Sequence, residues 1–412
     1  MTQRLANLRI LVADDQMDVA RTLCRPLHKE GARLRFAADG HTALQEIDTH
    51  PFDLLLIDMK MPPEEWGGLW LLRQLKERQC RIPSLVLSGE GSKQQVIEAL
   101  RLDAVDWVVK DTAGEELLDR CAATLTDRLG ASLEVATHRL PTPLAHRFAR
   151  YARATDPDKK VHDGLHALEA LLRFAAVLGL SSTPPAPLRG VTPDRLAAPS
   201  MGTWFDLCTA LSSRPDAGSD FRRVHSWIAP ERADHQPVQS LISVRNALAH
   251  GRDTPTLEQA DQLDQLLRRF AHRAASSWCA DLAVPTSMTY DGTQYTLEVL
   301  TLQGVGKPTP STVSTPTPVI TGQPILTSRG DTLVSLAPWL LAHTEPASGT
   351  VRCLQFDGLQ RTKDGLKADT PLRYARTDEG RGLPAVHHPQ ARWLTLSPWT
   401  SPQPTSQGSD RG

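Results

Sequence analysis

The sequence predicts a doubly wound α/β domain at its N-terminus, followed by an all-α region and a smaller β-rich region. Three patterns carry that reading. Between residue 8 and about 130, short β-branched or Leu-rich runs alternate with amphipathic helical segments. From about 131 to 282 the β signal fades and apolar residues recur at helical spacing. From 283 to 400, short runs alternate apolar with polar residues.

The N-terminal runs are "LRILVADD", "RLRFAAD", "FDLLLID", "SLVLSGE" and "DWVVK". Several are apolar along their whole length, as expected of parallel strands covered on both faces. The helical region contains "VHDGLHALEALLRFAAVLGL" and "TLEQADQLDQLLRRFAHRAASSW", with "SSTPPAPLRGVTP" as an internal loop. In the β-rich region, Asp291-Gly292 within "SMTYDGTQYTLEVL" marks a hairpin turn. The Pro/Thr-rich "GKPTPSTVSTPTPVITGQP" is expected to be extended and mobile, and the tail 401–412 disordered. The expected borders are therefore 1–130, 131–282, 283–400 and 401–412.

A chain of 412 residues is long enough for roughly two to four domains, each burying a core. Its 46 basic and 47 acidic residues nearly cancel, so no global field recruits nucleic acid or an anionic membrane. The six cysteines are scattered without CxxC pairs, which argues against a disulfide framework or zinc site and for a reducing cytoplasm. The opening apolar run is too short for a signal peptide, and the longest apolar helix is interrupted by Glu169 and Arg173. A soluble cytoplasmic protein with no membrane partner is expected.

Ligands of an open α/β sheet bind beyond the carboxyl ends of its strands. Those ends hold Asp14 and Asp15, then Asp58, Ser88 and Lys110. Three converging carboxylates raise one another's pKa values unless a hard divalent cation sits among them, and Mg2+ is the natural choice. A carboxylate oriented by such a metal can attack a phosphoryl donor. Asp58 is the candidate nucleophile, because it ends a central apolar strand. Ser88 then bonds a phosphoryl oxygen and Lys110 offsets the added charge.

The stretches "VADD", "LLLIDMKMP", "LVLSGE" and "WVVKD" resemble, in order and spacing, the receiver domain of two-component response regulators. The resemblance covers residues 8–130. It implies a flavodoxin-like fold of five strands and Mg2+ bound by Asp14, Asp15, Asp58 and the Lys60 carbonyl. It further implies phosphoryl transfer from a histidine kinase to Asp58, with Ser88 and Trp107 as switch residues. Two departures stand out: the loop "MKMPPEEWGG" is longer than usual, and Asp111 follows Lys110 where the family usually has proline.

A second motif lies in "LISVRNALAHGR". Winding it at about 100° per residue puts Leu241, Val244 and Leu248 on one stripe, with Asn246 and His250 opposite and Arg245 flanking. Gly251 suits the left-handed position after a helix, which leaves His250 in the last turn, where free carbonyls favour imidazolium. Arg245 beside a protonatable imidazole suits phosphodiester chemistry without metal. "VRNALAHG" resembles the R-x4-6-H motif of the HEPN superfamily. That resemblance implies a metal-independent endoribonuclease acting on RNA as a homodimer, and names Arg245, Asn246 and His250. Three rival readings remain. One is a non-catalytic adaptor that binds a partner protein after phosphorylation. The second is a DNA-binding regulator, for which no basic recognition helix is visible. The third is a phosphorelay through His162 or His166, whose plainer reading is exposed histidines on a solvated helix face.

Overall fold

The computed structural model describes residues 4–89, 93–214, 225, 228–251, 255–278, 280–328, 332–345, 351–360, 366–376 and 386–400. Glu90 of the fourth N-terminal run and the tail 401–412 lie outside the described residues.

Strands β1 (Arg9–Ala13), β2 (Arg33–Ala37), β3 (Leu54–Asp58), β4 (Ser84–Ser88) and β5 (Asp106–Val109) form one sheet in the order β2-β1-β3-β4-β5. All its pairings are parallel. This is the flavodoxin-like architecture expected from the sequence. Strands β3 and β4 are buried at every position, which is why they read as unbroken apolar runs. Helices α1 (Met17–Leu23), α2 (Arg25–Lys29), α3 (Gly40–Thr49), α4 (Gly67–Glu77) and α5 (Lys93–Arg101) cover the sheet. The strand order reverses between β1 and β3, which opens a crevice at their carboxyl ends.

Strand β5 runs straight into α6 (Lys110–Arg139), a helix of 30 residues that passes through position 130 without interruption. The N-terminal domain is thus joined to the helical region by a helix. Helices α7 (Thr142–Arg153), α8 (Pro157–Ser182), α9 (Pro193–Ala197), α10 (Met201–Ser212), α11 (His235–Ala249) and α12 (Leu257–Ser277) follow. The Thr256/Gln259 capping box starts α12, and Asp156 caps α8 by accepting from the Lys159 N–H. Helix α8 is long and apolar enough to cross a membrane, yet 78% of its most apolar window is buried inside the protein. It is the core helix of the bundle.

Strands β6 (Ala280–Tyr290), β7 (Tyr295–Thr301), β8 (Thr309–Thr315), β9 (Ile325–Ser328) and β10 (Thr332–Ser335) form a sheet ordered β10-β9-β6-β7-β8. The β6–β7 hairpin turns at Asp291-Gly292 as expected. Gly292 has φ +102°, and the Asp291 carboxylate accepts from the Thr293 and Gln294 N–H groups. The Pro/Thr-rich stretch departs from the expected mobile loop, because Thr309–Thr315 is the edge strand β8 paired along β7. Its alternating β-branched residues suit a strand, and an edge position tolerates Pro310. Strands β11 (Leu340–Thr344), β12 (Val351–Leu359), β13 (Pro371–Arg376) and β14 (Val386–Arg392) form an antiparallel second sheet. Phe356 of β12 meets Trp204 of α10 edge to face at 6.0 Å, so helices and sheet share one core.

The floor of the N-terminal sheet is tied to this body by buried charge. Asp53, just before β3, accepts from Arg273 of α12 on both carboxylate oxygens, and its carbonyl lies 2.9 Å from His272 Nε2. Arg273 also approaches Asp234 to 3.6 Å, and Arg9 pairs with Glu231. Such groups are tolerated inside a protein only when paired.

Candidate functional site

The strand ends bring the predicted rim together. Asp14 follows β1 and is buried; Asp15 is exposed; Asp58 ends β3 and is buried. One carboxylate oxygen from each of these three lies within 4.8 Å of the others. Lys110 Nζ stands 2.8 Å from Asp14 Oδ2 and 3.0 Å from Asp58 Oδ1. Burial pushes the Asp58 carboxyl up to about 6; Lys110 offsets part of this, while Asp14 and Asp15 add to it. Burial opposes the Lys110 ammonium, but its bonds to Asp14 and Asp58 outweigh that and raise its pKa.

The loop after Asp58 is held by backbone bonds to glycine. Gly68 donates to the Met59 carbonyl at 3.2 Å, Gly67 to Met61 at 3.0 Å and Gly40 to Pro62 at 2.9 Å. A Cβ on Gly67 would stand 2.0 Å from the Met61 oxygen, and one on Gly68 2.5 Å from the Asp58 oxygen, so neither position admits a side chain. Lys60 sits on this loop and is exposed. Ser88 ends β4 and is buried, beside the register that pairs it with Val109. Trp107 is half-buried and packs against the apolar cluster on one face of the sheet. The cis peptides among the described residues are Pro62–Pro63 and Ala337–Pro338, so the Lys110–Asp111 bond is trans, as the missing proline leads one to expect.

Residues 10–122 match the family described as response regulator receiver domain. This part of the chain is a receiver domain. It is 34% identical over 110 residues to regulatory protein AtoC of Escherichia coli (strain K12), covering 26% of this chain and 23% of that protein. It is 37% identical over 119 residues to response regulator MprA of Mycobacterium ulcerans (strain Agy99), covering 29% of this chain and 50% of that protein. The chain thus spans half or less of the length of these curated relatives. Among solved structures, the Francisella response regulator 1452 receiver domain is 31% identical, with 30% of this chain and 98% of that chain covered and a TM-score of 0.28.

Outside the receiver, Arg245 and Asn246 of the second predicted trio lie on α11 and His250 is its C-cap, one residue beyond the expected last turn. Leu241 and Val244 are buried and Leu248 partly so, while Asn246 and His250 are exposed. His250 follows the last helical residue, and Gly251 takes the left-handed conformation with φ +63°. Arg245 is half-buried and reaches 3.9 Å from Glu169 of α8. His162 and His166 depart from the expected pair of solvated side chains. His162 is exposed, but His166 is half-buried, and their Nε2 atoms face each other at 3.0 Å. The i,i+4 spacing was visible in the sequence; that α11 lays Arg245 beside the same helix face was not.

Proposed function

We propose that this chain is a two-component response regulator in the cytoplasm, with a histidine kinase as its phosphoryl donor and Asp58 as its acceptor. The observation that carries the reading is Lys110 Nζ bridging Asp14 and Asp58 at 2.8 and 3.0 Å, with Ser88 at the adjacent strand end. Asp14, Asp15, Asp58 and the Lys60 carbonyl would hold Mg2+, which supplies charge neutralisation for the phosphoryl oxygens. A carboxylate oxygen of Asp58 attacks phosphorus, and the donor imidazole nitrogen leaves with its electron pair. The Ser88 hydroxyl then donates to one phosphoryl oxygen and the Lys110 ammonium pairs with another.

Lys110 is also the first residue of α6, so a displacement at the phosphoryl group acts on a helix that enters the bundle. Arg268 of α12 donates to the Gly130 carbonyl of α6 at 2.9 Å, and Gly304 donates to Leu140 just past its end at 2.8 Å. Repacking around Trp107 adds a second route, through association of two receivers. The output belongs to the helical and β regions. Its first reading is a metal-independent endoribonuclease completed by a second copy facing Arg245, Asn246 and His250. The adaptor reading gains from the placement of Arg245, whose guanidinium reaches toward Glu169 of α8.

A small phosphodonor with Mg2+ should load one phosphoryl group on the wild type and none on Asp58→Ala; retained labelling in the variant overturns the assignment. Single-stranded RNA is then offered in EDTA to the full chain, with and without prior phosphorylation. Cleavage lost in both Arg245→Ala and His250→Ala, and altered by phosphorylation only when Asp58 is present, supports the nuclease. No cleavage, with a protein partner captured by the phosphorylated chain, supports the adaptor.

A further inference from the structure

The geometry points to a phosphate-binding site on the bundle surface, made by Arg245 of α11 with His162 and His166 of α8, which takes a backbone phosphate of single-stranded RNA. It deepens the RNA-directed reading of the helical region and is independent of chemistry at Asp58. The two imidazoles meet edge to face with ring centroids 4.5 Å apart and Nε2 atoms 3.0 Å apart. That contact requires one Nε2–H and one bare Nε2, so one imidazole donates to the other. Three helices surround it with charge. Arg147 and Arg150 stand on α7, Asp163, Glu169 and Arg173 on α8, and Arg245 on α11.

The carboxylates in this set lie at the outer limit of ion-pair distance from their arginines. Asp163 lies 3.9 Å from Arg150, and Glu169 lies 3.8 Å from Arg173 and 3.9 Å from Arg245. Arg173 is held more closely by Asp357 at 2.8 Å. The contact between Arg245 and Glu169 is at the outer limit of an ion pair, and the Arg245 side chain is 36% exposed. Its guanidinium therefore keeps donors for an incoming oxygen.

Two histidines at i,i+4 also begin a metal site, and the surrounding charge decides between cation and anion. Burial acts first to keep His166 unprotonated; His162, Arg147 and Arg245 add to it and Asp163 opposes them, so among the charges around the pair two arginines stand against one carboxylate, a balance that favours an anion over a cation. Among the described residues, the grouped metal-binding side chains are Asp14, Asp15 and Asp58, far from this face in the fold's order of elements. The groups open along the helix surface, with His162 exposed, which suits a phosphate of an extended chain laid across α8 and α11.

The test is fluorescence anisotropy of a labelled single-stranded oligouridylate with the full chain, in EDTA at low salt. Binding should weaken as added salt screens the phosphate contacts. Arg245→Ala and the double variant His162→Gln/His166→Gln should each weaken it roughly tenfold at unchanged melting temperature. Glu169→Gln should tighten it by releasing Arg245, a gain that a merely structural role would not give. Inorganic phosphate should compete. Wild type that fails to bind at low salt, variants that bind like wild type, or tight zinc binding abolished in the double histidine variant would each overturn the site. Binding without cleavage sinks the nuclease reading and leaves this site standing.

Discussion

Asp53 and Arg273 stand 220 positions apart in the chain and form a buried pair, with Arg273 Nε donating to Asp53 Oδ1 across 3.0 Å. One lies at the floor of the receiver sheet, the other on the last helix of the bundle. The acidic rim with Asp58 is at the opposite end of the same strand, so this buried pair fastens the receiver at its floor and not at its rim.

Removing one partner of this pair strands the other in an apolar interior. Arg273→Met is expected to lower stability by about 3–5 kcal/mol, while Asp53→Asn/Arg273→Met together cost less because the Asp53 charge is removed with its partner. Chemical denaturation of the full chain checks the order, and a double variant worse than Arg273→Met alone would contradict it.

Acid should weaken the fold in two steps. Burial pushes the His225 imidazole down to about 4 from an ordinary value of 6.5 and also lowers that of His272. The unfolded chain then binds more protons than the folded one between these values. Stability is complete above 6.5 and is lost as pH falls toward 4, by about 3 kcal/mol for His225 alone. At lower pH, Asp53 adds to the loss. Burial acts against its carboxylate, yet Arg273 and His272 prevail and hold its pKa below the ordinary range. Melting temperatures measured from pH 8 to pH 4 should fall, and His225→Phe should flatten the upper part of the curve.

The acidic trio should make the receiver responsive to a divalent cation without any phosphodonor. Asp58 titrates near 6 because burial and two neighbouring carboxylates disfavour its charge, so a bound cation relieves the strain of keeping all three ionised. Millimolar Mg2+ should raise the melting temperature of the wild type and leave Asp14→Asn/Asp15→Asn unmoved. The double variant should remain folded without metal, since it removes repulsion; a marked drop in its apo melting temperature would count against the site.

Gly68 and Gly130 make opposite predictions from the same chemical change. Gly68→Ala forces a methyl against the Asp58 carbonyl, 2.5 Å away, and should cost roughly 1–3 kcal/mol while slowing phosphorylation of Asp58. Gly130→Ala adds a methyl that meets nothing within 4 Å inside α6, and should stabilise the chain by about 0.5–1 kcal/mol. Paired denaturation curves decide both signs.

The sequence by itself determined the receiver and its rim, because strand runs and their terminal residues are local: Asp14, Asp15, Asp58, Ser88 and Lys110 each end or follow one apolar run. It also determined the Asp291-Gly292 turn and the left-handed Gly251, where a single backbone angle selects the residue. Only the tertiary structure decided that β5 feeds α6 without a loop, that Thr309–Thr315 becomes a strand, and that Asp53 meets Arg273. It also decided that Arg245 reaches Glu169 on α8, the helix that carries the His162/His166 pair. Periodicity records which face of an element is buried, but the partner on that face is chosen by packing between residues far apart in the chain, and no local pattern encodes that choice.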